Sequence, residues 1–366
     1  MMFGKYKVNL KAITPVFIAN GKSYTHSEFL HTQVKSGEKK YNSISRYDIF
    51  DFYKDLPEER TDEFIEKLSK PNFNLKTFEA KIDKRYRRYL AINRSDNVHL
   101  SEVQEAIKTM DELYIPGSSI KGSIRSVLMY NNIDSSNIPN NIINNRRINS
   151  RAYNQMENNF FSAKKGNSAQ TSIMKYLQIS DTTTSKQPEI HDLVTIKAKP
   201  AGNFEYHSKH NGKPIHTYAE TIGQGKKLSF ILNNEVHDDV LQRLGIPNKK
   251  HLISLKNIKE SIYNFSSDLL EHEIDFARKY RHNDLLKNYK SIAKFNDPDA
   301  PLLKIGSGSG FLATTLGLKI KKENNYLYEQ IRQSFRKSYQ YEFPKSRKIT
   351  AKGRPLGWVK LDFEKL

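Results

Sequence analysis

The sequence predicts an α+β fold, and three observations carry that assignment. Tyr6–Ile18 alternates, with Tyr6, Val8, Leu10 and Ala12 on one face, which is the periodicity of a strand. Leu252–Phe295 places Ile258, Ile262, Phe265, Leu269 and Leu270 at helical spacing. The elements run strand, helices, strands, long helix, strand, without the regular alternation of a doubly wound parallel sheet.

Pro15 ends the first strand or sets it at an edge. A loop is expected over "ANGKSYTHSEF" (19–29). Short helices are expected over Ser45–Leu56 and Arg60–Leu68, the second with Phe64, Ile65 and Leu68 as its apolar stripe. Leu100–Met110 fits helix or strand equally. Pro116-Gly117 then turns the chain into a helix from about Ser118 to Tyr130. Residues 131–167 hold twelve Asn together with Arg146, Arg147, Arg151, Lys164 and Lys165, and are expected as a partly mobile insertion beside a positive surface. Strands follow over Met174–Thr183 and Leu193–Pro200, and two more flank a glycine turn within Tyr218–Asn234. "PLLKIGSGSGFLATTLGLKI" (301–320) reads as strand, glycine loop and helix, and Leu356–Phe363 as a last strand. Residues 1–235 form the expected core, with an Asn-rich insertion at 131–170 and a polar loop at 200–217. Residues 236–366 supply a helical segment and a glycine-loop and strand region that completes it.

Lys and Arg outnumber Asp and Glu by 60 to 40, a formal charge of +20, which calls for a polyanionic partner. A bias toward Lys, Asn and Ile accounts for many of the lysines. It accounts less well for arginines clustered near 85–88 and 146–151. The chain has no Cys, which excludes disulfides, thiolate zinc sites and a thiol nucleophile. "MMFGKYKVNLKAITPVF" has no long apolar core, and no run of 18 apolar residues occurs, so neither a signal peptide nor a membrane span is expected and the cytoplasm is the expected location.

The densest motif is "YIPGSSIKGSIRSVL" (114–128). Ser118 or Ser119 is expected to cap the helix, whose free N–H groups attract anions. Lys121 and Arg125 share a face, while Gly117 and Gly122 let a backbone pass close. The set suits a nucleic-acid phosphate, although an ordinary capped helix with solvated cations has the same spacing. Lys121 precedes Gly122, so the motif is not a nucleotide-hydrolysing loop. "IGSGSGF" misplaces its third glycine for a dinucleotide site and reads as a contact loop or a tight turn. Ala80–Arg94 interleaves six cations with Tyr86 and Tyr89, either an RNA grip or a solvated face. His207, His210 and His216 lack a full ligand set for a metal even with Glu205, and no metal or other cofactor is expected.

Taken together, "YIPGSSIKGSIR", "MKYLQISD", "IGSGSGFLATT" and "FPKSRKI…PLGWVKL" resemble the RAMP superfamily of CRISPR effector proteins, and in order and spacing the fifth-subunit family of type III-A Csm complexes. The resemblance runs from about Lys7 to Phe363. It implies a ferredoxin-like, RRM-type antiparallel β-sheet core with helical and loop insertions. It implies a non-catalytic subunit that holds the 3′ portion of the crRNA, supports crRNA maturation and serves antiviral defence. The implied partners are the repeated backbone RAMP subunit, the small helical subunit and host nucleases, with target RNA nearby. Carried residue by residue, its RNA contacts fall on Gly117, Ser118, Ser119, Lys121, Gly122 and Arg125, on the glycine loop Gly306, Gly308, Ser309 and Gly310, and on Lys345, Arg347 and Lys348. Lys84, Arg85 and Arg88 join them from the cation-aromatic run.

Phe17 stands in "TPVFIANG" where the family usually has His, and Ala19 where it has Gly. Only Glu28 offers a carboxylate between Thr14 and Phe29, so no target-RNA cleavage is expected. The glycine loop also lacks the Trp the family often carries there. The alternative is a metal-independent endoribonuclease that processes guide precursor, with His26, His31 or His99 as candidate groups. A thumb inserted between guide and target pairs is implied within 200–217, with 131–167 competing.

Overall fold

The computed structural model describes residues 3–36, 38–144, 147–163, 168–209, 211–334 and 342–366. The N-terminal alternation builds the strand Lys5–Ala12, with Tyr6, Val8, Leu10 and Ala12 all buried. It sits at the centre of a five-stranded antiparallel sheet in the order Gln178–Ile179, Lys227–Asn233, Lys5–Ala12, Trp358–Lys365, Leu302–Lys304. The two ends of the chain therefore pair directly, Val8 opposite Phe363 and Leu10 opposite Leu361. The helix Gly117–Asn132 and the 25-residue helix Leu255–Lys279 pack on each other and on this sheet. Tyr130 closes their contact by donating to Asp268 Oδ2 at 2.6 Å.

A second sheet of nine strands lies beside the first, centred on Glu189–Ala198. Most of its pairs are antiparallel, but Glu189–Ala198 runs parallel to Arg87–Asn93, and Thr217–Thr221 parallel to Glu102–Ala106. Leu193, Val194 and Ile196 join the main core, while Phe52, Phe64, Phe73 and Phe78 form a separate aromatic cluster at the far end. The architecture is α+β, as the element order predicts.

Several local expectations are corrected. Residues expected as a loop at 19–29 form the strand Ala19–Thr25, an edge strand on which only Tyr24 is buried. Ser45–Tyr47 continues the strand Lys39–Tyr47, and the helix after it starts at Ile49 because the Asp48 carboxylate caps the N–H groups of Phe50 and Asp51. On Glu58–Leu68 the core side is Phe64 alone, with Ile65 and Leu68 exposed. Glu102–Ala106 resolves the ambiguous 100–110 stretch as strand. Of Met174–Thr183 only Gln178–Ile179 pairs, after a 3₁₀ turn at Ile173–Tyr176. Within the Asn-rich insertion the helix Ser150–Phe161 buries Ala152, Met156 and Phe161. Arg146, Lys164, Lys165 and His210 lie outside the described residues.

Candidate nucleic-acid interface

The helix Gly117–Asn132 buries Ile120, Ile124, Val127 and Leu128, so the 3.6-residue period turns Ser118, Lys121, Gly122 and Arg125 outward. Neither Ser118 nor Ser119 caps it. Pro116 holds the cap position, and the N–H of Gly117 donates to Asp181 Oδ1 at 2.7 Å. The helix start is packed so closely on the Gln178–Ile179 strand that a Cβ at Gly117 would lie 2.4 Å from the Ile179 carbonyl oxygen. One carboxylate thus already meets the positive end of the helix dipole. What remains for a phosphate is the cationic face. Arg125 pairs there with Glu157 at 2.8 Å, leaving Lys121 with no ion pair among the described residues. Partial burial, and then Arg125, push the Lys121 ammonium pKa down.

The glycine loop follows the strand Leu302–Lys304. Gly306, Gly308 and Gly310 adopt φ of 69, 82 and 69°. At Gly306 the requirement is twofold, because a Cβ would also stand 2.6 Å from the Phe17 carbonyl oxygen. That carbonyl accepts the Ser307 N–H at 2.8 Å, and Ser309 Oγ donates back to the Gly306 carbonyl at 2.7 Å. The Lys348 ammonium lies 5.7 Å from the centre of the Phe17 ring. Gly357 donates to the Pro15 carbonyl and Trp358 to Thr14 Oγ1. The structure thereby brings the first loop, the glycine loop and the C-terminal motifs into one wall.

The glycine-loop and C-terminal part of that wall, with Leu269 and Glu273 of the long helix, lines a cavity of about 400 Å³ that Gly308, Ser309, Gly310, Lys348, Lys304 and Trp358 also border. Lys304 is buried, 5.1 Å from the Trp358 ring centre, and donates to the Leu356 carbonyl. Burial pushes its pKa down to about 7, against the opposing pull of Glu273. Arg347 is also buried, its Nε 2.6 Å from Glu273 Oε2 and its guanidinium 4.0 Å over Phe276. It is tied to the core by that pair, yet it lines the cavity together with the half-buried Lys348 and with Glu273. Lys345 joins its strand to Glu189–Ala198, its carbonyl accepting the Ala198 N–H at 2.8 Å.

Lys84 and Arg85 stand on the 3₁₀ turn Lys84–Tyr86 that leads into the second sheet, and Arg88 on its strand Arg87–Asn93. Arg85 meets Asp55 at 3.2 Å, and Arg88 clamps both oxygens of Asp111 at 3.1 and 2.6 Å, while Lys84 is exposed. Tyr86 and Tyr89 are buried, so neither is a stacking platform. Tyr89 and Tyr24 instead donate to Glu220, a carboxylate with no exposure that also accepts from Lys108 at 2.5 Å. His26 and His31, close in sequence, and the distant His99 line one cavity of about 360 Å³. His216 pairs with Asp192 at 2.8 Å, and no group of three metal-ligating side chains forms among the described residues. Lys304 was absent from the expected contacts, although a cation inside the apolar run "PLLKI" is a sequence signal for a buried charge with a purpose.

The sequence profile of the RAMP superfamily matches residues 9–311. A relative from Methanocaldococcus jannaschii, named CRISPR system Cms protein Csm5, is 26% identical over 295 residues, which is 71% of this chain. The match spans 65% of that relative, just under two thirds of its length. Two solved structures share the fold. One is a chain of the cryo-EM structure of a Csm–crRNA–target RNA ternary complex in a type III-A CRISPR-Cas system, with TM-score 0.69 and 20% identity over 98% of this chain and 100% of that one. The other is the crystal structure of T. onnurineus Csm5, with TM-score 0.64 and 18% identity over 96% and 99%.

Proposed function

The chain belongs to the RAMP superfamily, and from that premise we propose that it is the non-catalytic, crRNA-binding subunit at the 3′ end of a type III-A Csm ribonucleoprotein. The observation that carries this reading is the joint wall of first loop, glycine loop and C-terminal strand, with Lys348 and Lys304 on its cavity. A formal charge of +20 supplies the long-range attraction for a polyanion. The helix face with Lys121 and Arg125 extends the grip. The flanking partners are the repeated backbone RAMP subunit and the small helical subunit, with target RNA alongside. Maturation proceeds through host nucleases, in the cytoplasm. No helix among the described residues is long and apolar enough to cross a membrane.

The non-catalytic part of the reading rests on the first loop. Glu28, its one carboxylate, is held by Arg46 at 2.7 Å and is not free to act on RNA. Phe17 supplies a ring beneath Lys348 in place of an imidazole.

The test is affinity capture of the tagged protein, sequencing of the bound RNA and identification of co-purifying subunits. Guide RNA with the two neighbouring subunits is the expected catch, and capture of unrelated RNA without them would overturn the reading. In the assembled complex, Lys121→Ala with Lys348→Ala should lower the salt slope of guide binding by about 1.4, since each lost single-strand phosphate contact removes ~0.7. An unchanged slope would make both cations structural. Incubation with repeat RNA in chelator should leave the RNA intact. Accurate cutting lost on changing one His would show an enzyme instead.

A further inference from the structure

The cavity lined by His26, His31, His99 and Lys76 has no part in the proposed cradle, and it is assembled from three separate segments. His26 sits in the turn before the strand Phe29–Ser36, His31 on that strand, Lys76 on the short helix Leu75–Phe78, and His99 in the loop before Glu102–Ala106. Its floor is apolar, with Phe29 and Leu100 buried. The His31 ring meets Phe29 edge-on at 5.3 Å and His99 edge-on at 5.5 Å. Both ring nitrogens of His26 lie near backbone carbonyls, Ser101 at 3.1 Å and Asn72 at 3.5 Å, and each tautomer can donate to one of them. His31, although hydrogen-bonded to the Leu100 backbone, and His99 bring two more imidazoles to the cavity, and Lys76 an exposed ammonium at the rim.

The charge inventory is one-sided. The charged and titratable groups that act on His31 are His99, Lys76 and His26, all basic. The nearby carboxylates are engaged elsewhere: Glu28 on Arg46 and the Thr25 N–H, and Glu102 on Ser23. A concave site of about 360 Å³ with several protonatable nitrogens, an apolar floor and no carboxylate in its lining has the chemistry of an anion site. We infer that this cavity takes a phosphate group of single-stranded RNA, outside the cradle, through His31, His99 and Lys76. The inference rests on the RNA-subunit reading for the source of the phosphate, but not for the site's chemistry.

Burial pushes the His31 pKa down, opposed by a hydrogen bond to the Leu100 backbone and helped by the neighbouring bases His99, Lys76 and His26. A bound anion favours the imidazolium, so binding takes up a proton and strengthens as pH falls. A phosphodiester keeps its charge throughout this range, which assigns the pH dependence to the protein. Lys304, near 7, is already mostly charged below pH 6.5 and adds little there.

The experiment measures single-stranded RNA affinity of the full chain at pH 6.5 and 5.5 at fixed salt, with circular dichroism confirming the fold at each pH. Affinity should rise by up to about tenfold per proton taken up over that unit. His31→Gln with His99→Gln, and separately Lys76→Glu at an exposed position, should remove that rise. Lys348→Ala should weaken binding and keep the rise. Equal pH dependence in the wild type and in both cavity variants overturns the inference. Inorganic phosphate, followed by the imidazole resonances, separates the sources. Perturbation of His31 and His99 by phosphate, with RNA affinity insensitive to the variants, overturns RNA as the ligand and leaves a free phosphate compound. If the chain binds no RNA at all the cradle reading fails, and absence of the phosphate effect as well overturns the site.

Discussion

Arg347 and Lys348 are adjacent and do opposite jobs. Strand alternation sends Arg347 inward beside Ile349, where Glu273 meets it at 2.6 Å with both side chains 8% exposed, and leaves Lys348 half-buried; both line the cavity, but of the two only Lys348 has no ion pair among the described residues. Removing one partner of a buried pair leaves an uncompensated charge, so Arg347→Ala should cost about 3–5 kcal/mol in denaturant unfolding. Lys348→Ala should be close to neutral in the same assay and lower RNA affinity instead. Gly306→Ala forces both a positive φ and a contact with the Phe17 carbonyl, and should cost roughly 2 kcal/mol or more. The sequence showed which of these residues cluster in a motif. It could not show that Arg347 has its counter-ion 74 positions away, so a motif of three cations read as three contacts.

At the scale of elements, the start of the helix Gly117–Asn132 carries a second long-range lesson. Its two serines have the composition of caps, yet the cap is Asp181, which strand pairing brings in from 64 positions away. Asp181→Ala should destabilise by about 1 kcal/mol, and Ser118→Ala or Ser119→Ala by much less, in denaturant titrations. An equal loss from Ser119→Ala would restore the local cap. Elements with a periodic apolar face were legible: Lys5–Ala12, Leu255–Lys279 and Lys227–Asn233 fall where the pattern puts them. Ala19–Thr25 was not, because on an edge strand with Tyr24 alone turned inward there is no alternation to read. The three-histidine cavity was half legible. The residue types could be named, but only the packing of a turn, a short helix and a loop puts them together.

For the molecule as a whole, the buried bases set how stability follows pH. His191, 2.8 Å from Thr221 Oγ1, is driven down to about 4 by burial, with Glu189 opposing. Burial and then Lys321 drive His272 down to about 4 as well. Both rings are neutral in the fold, while in the unfolded chain each gains a proton below about 6.5. The unfolded state therefore binds more protons between pH 6.5 and 4, and stability must rise with pH across that window. Acidification through it should cost roughly 3 kcal/mol per ring, with no further loss from these groups below about 4. Lys304 extends the same trend upward. Its folded pKa of about 7 lies below its unfolded value, so the unfolded chain again holds the extra proton until pH passes about 10.5. A charge placed so that it weakens the fold at neutral pH is consistent with service to a ligand, and it gives the sharpest prediction. Lys304→Met should raise stability at pH 7, flatten the rise between 7 and 10.5, and lower RNA affinity. Guanidinium unfolding at pH 5, 7 and 9 with parallel RNA binding checks all three. A variant less stable than the wild type with RNA binding unchanged would make Lys304 part of the scaffold rather than of the cradle.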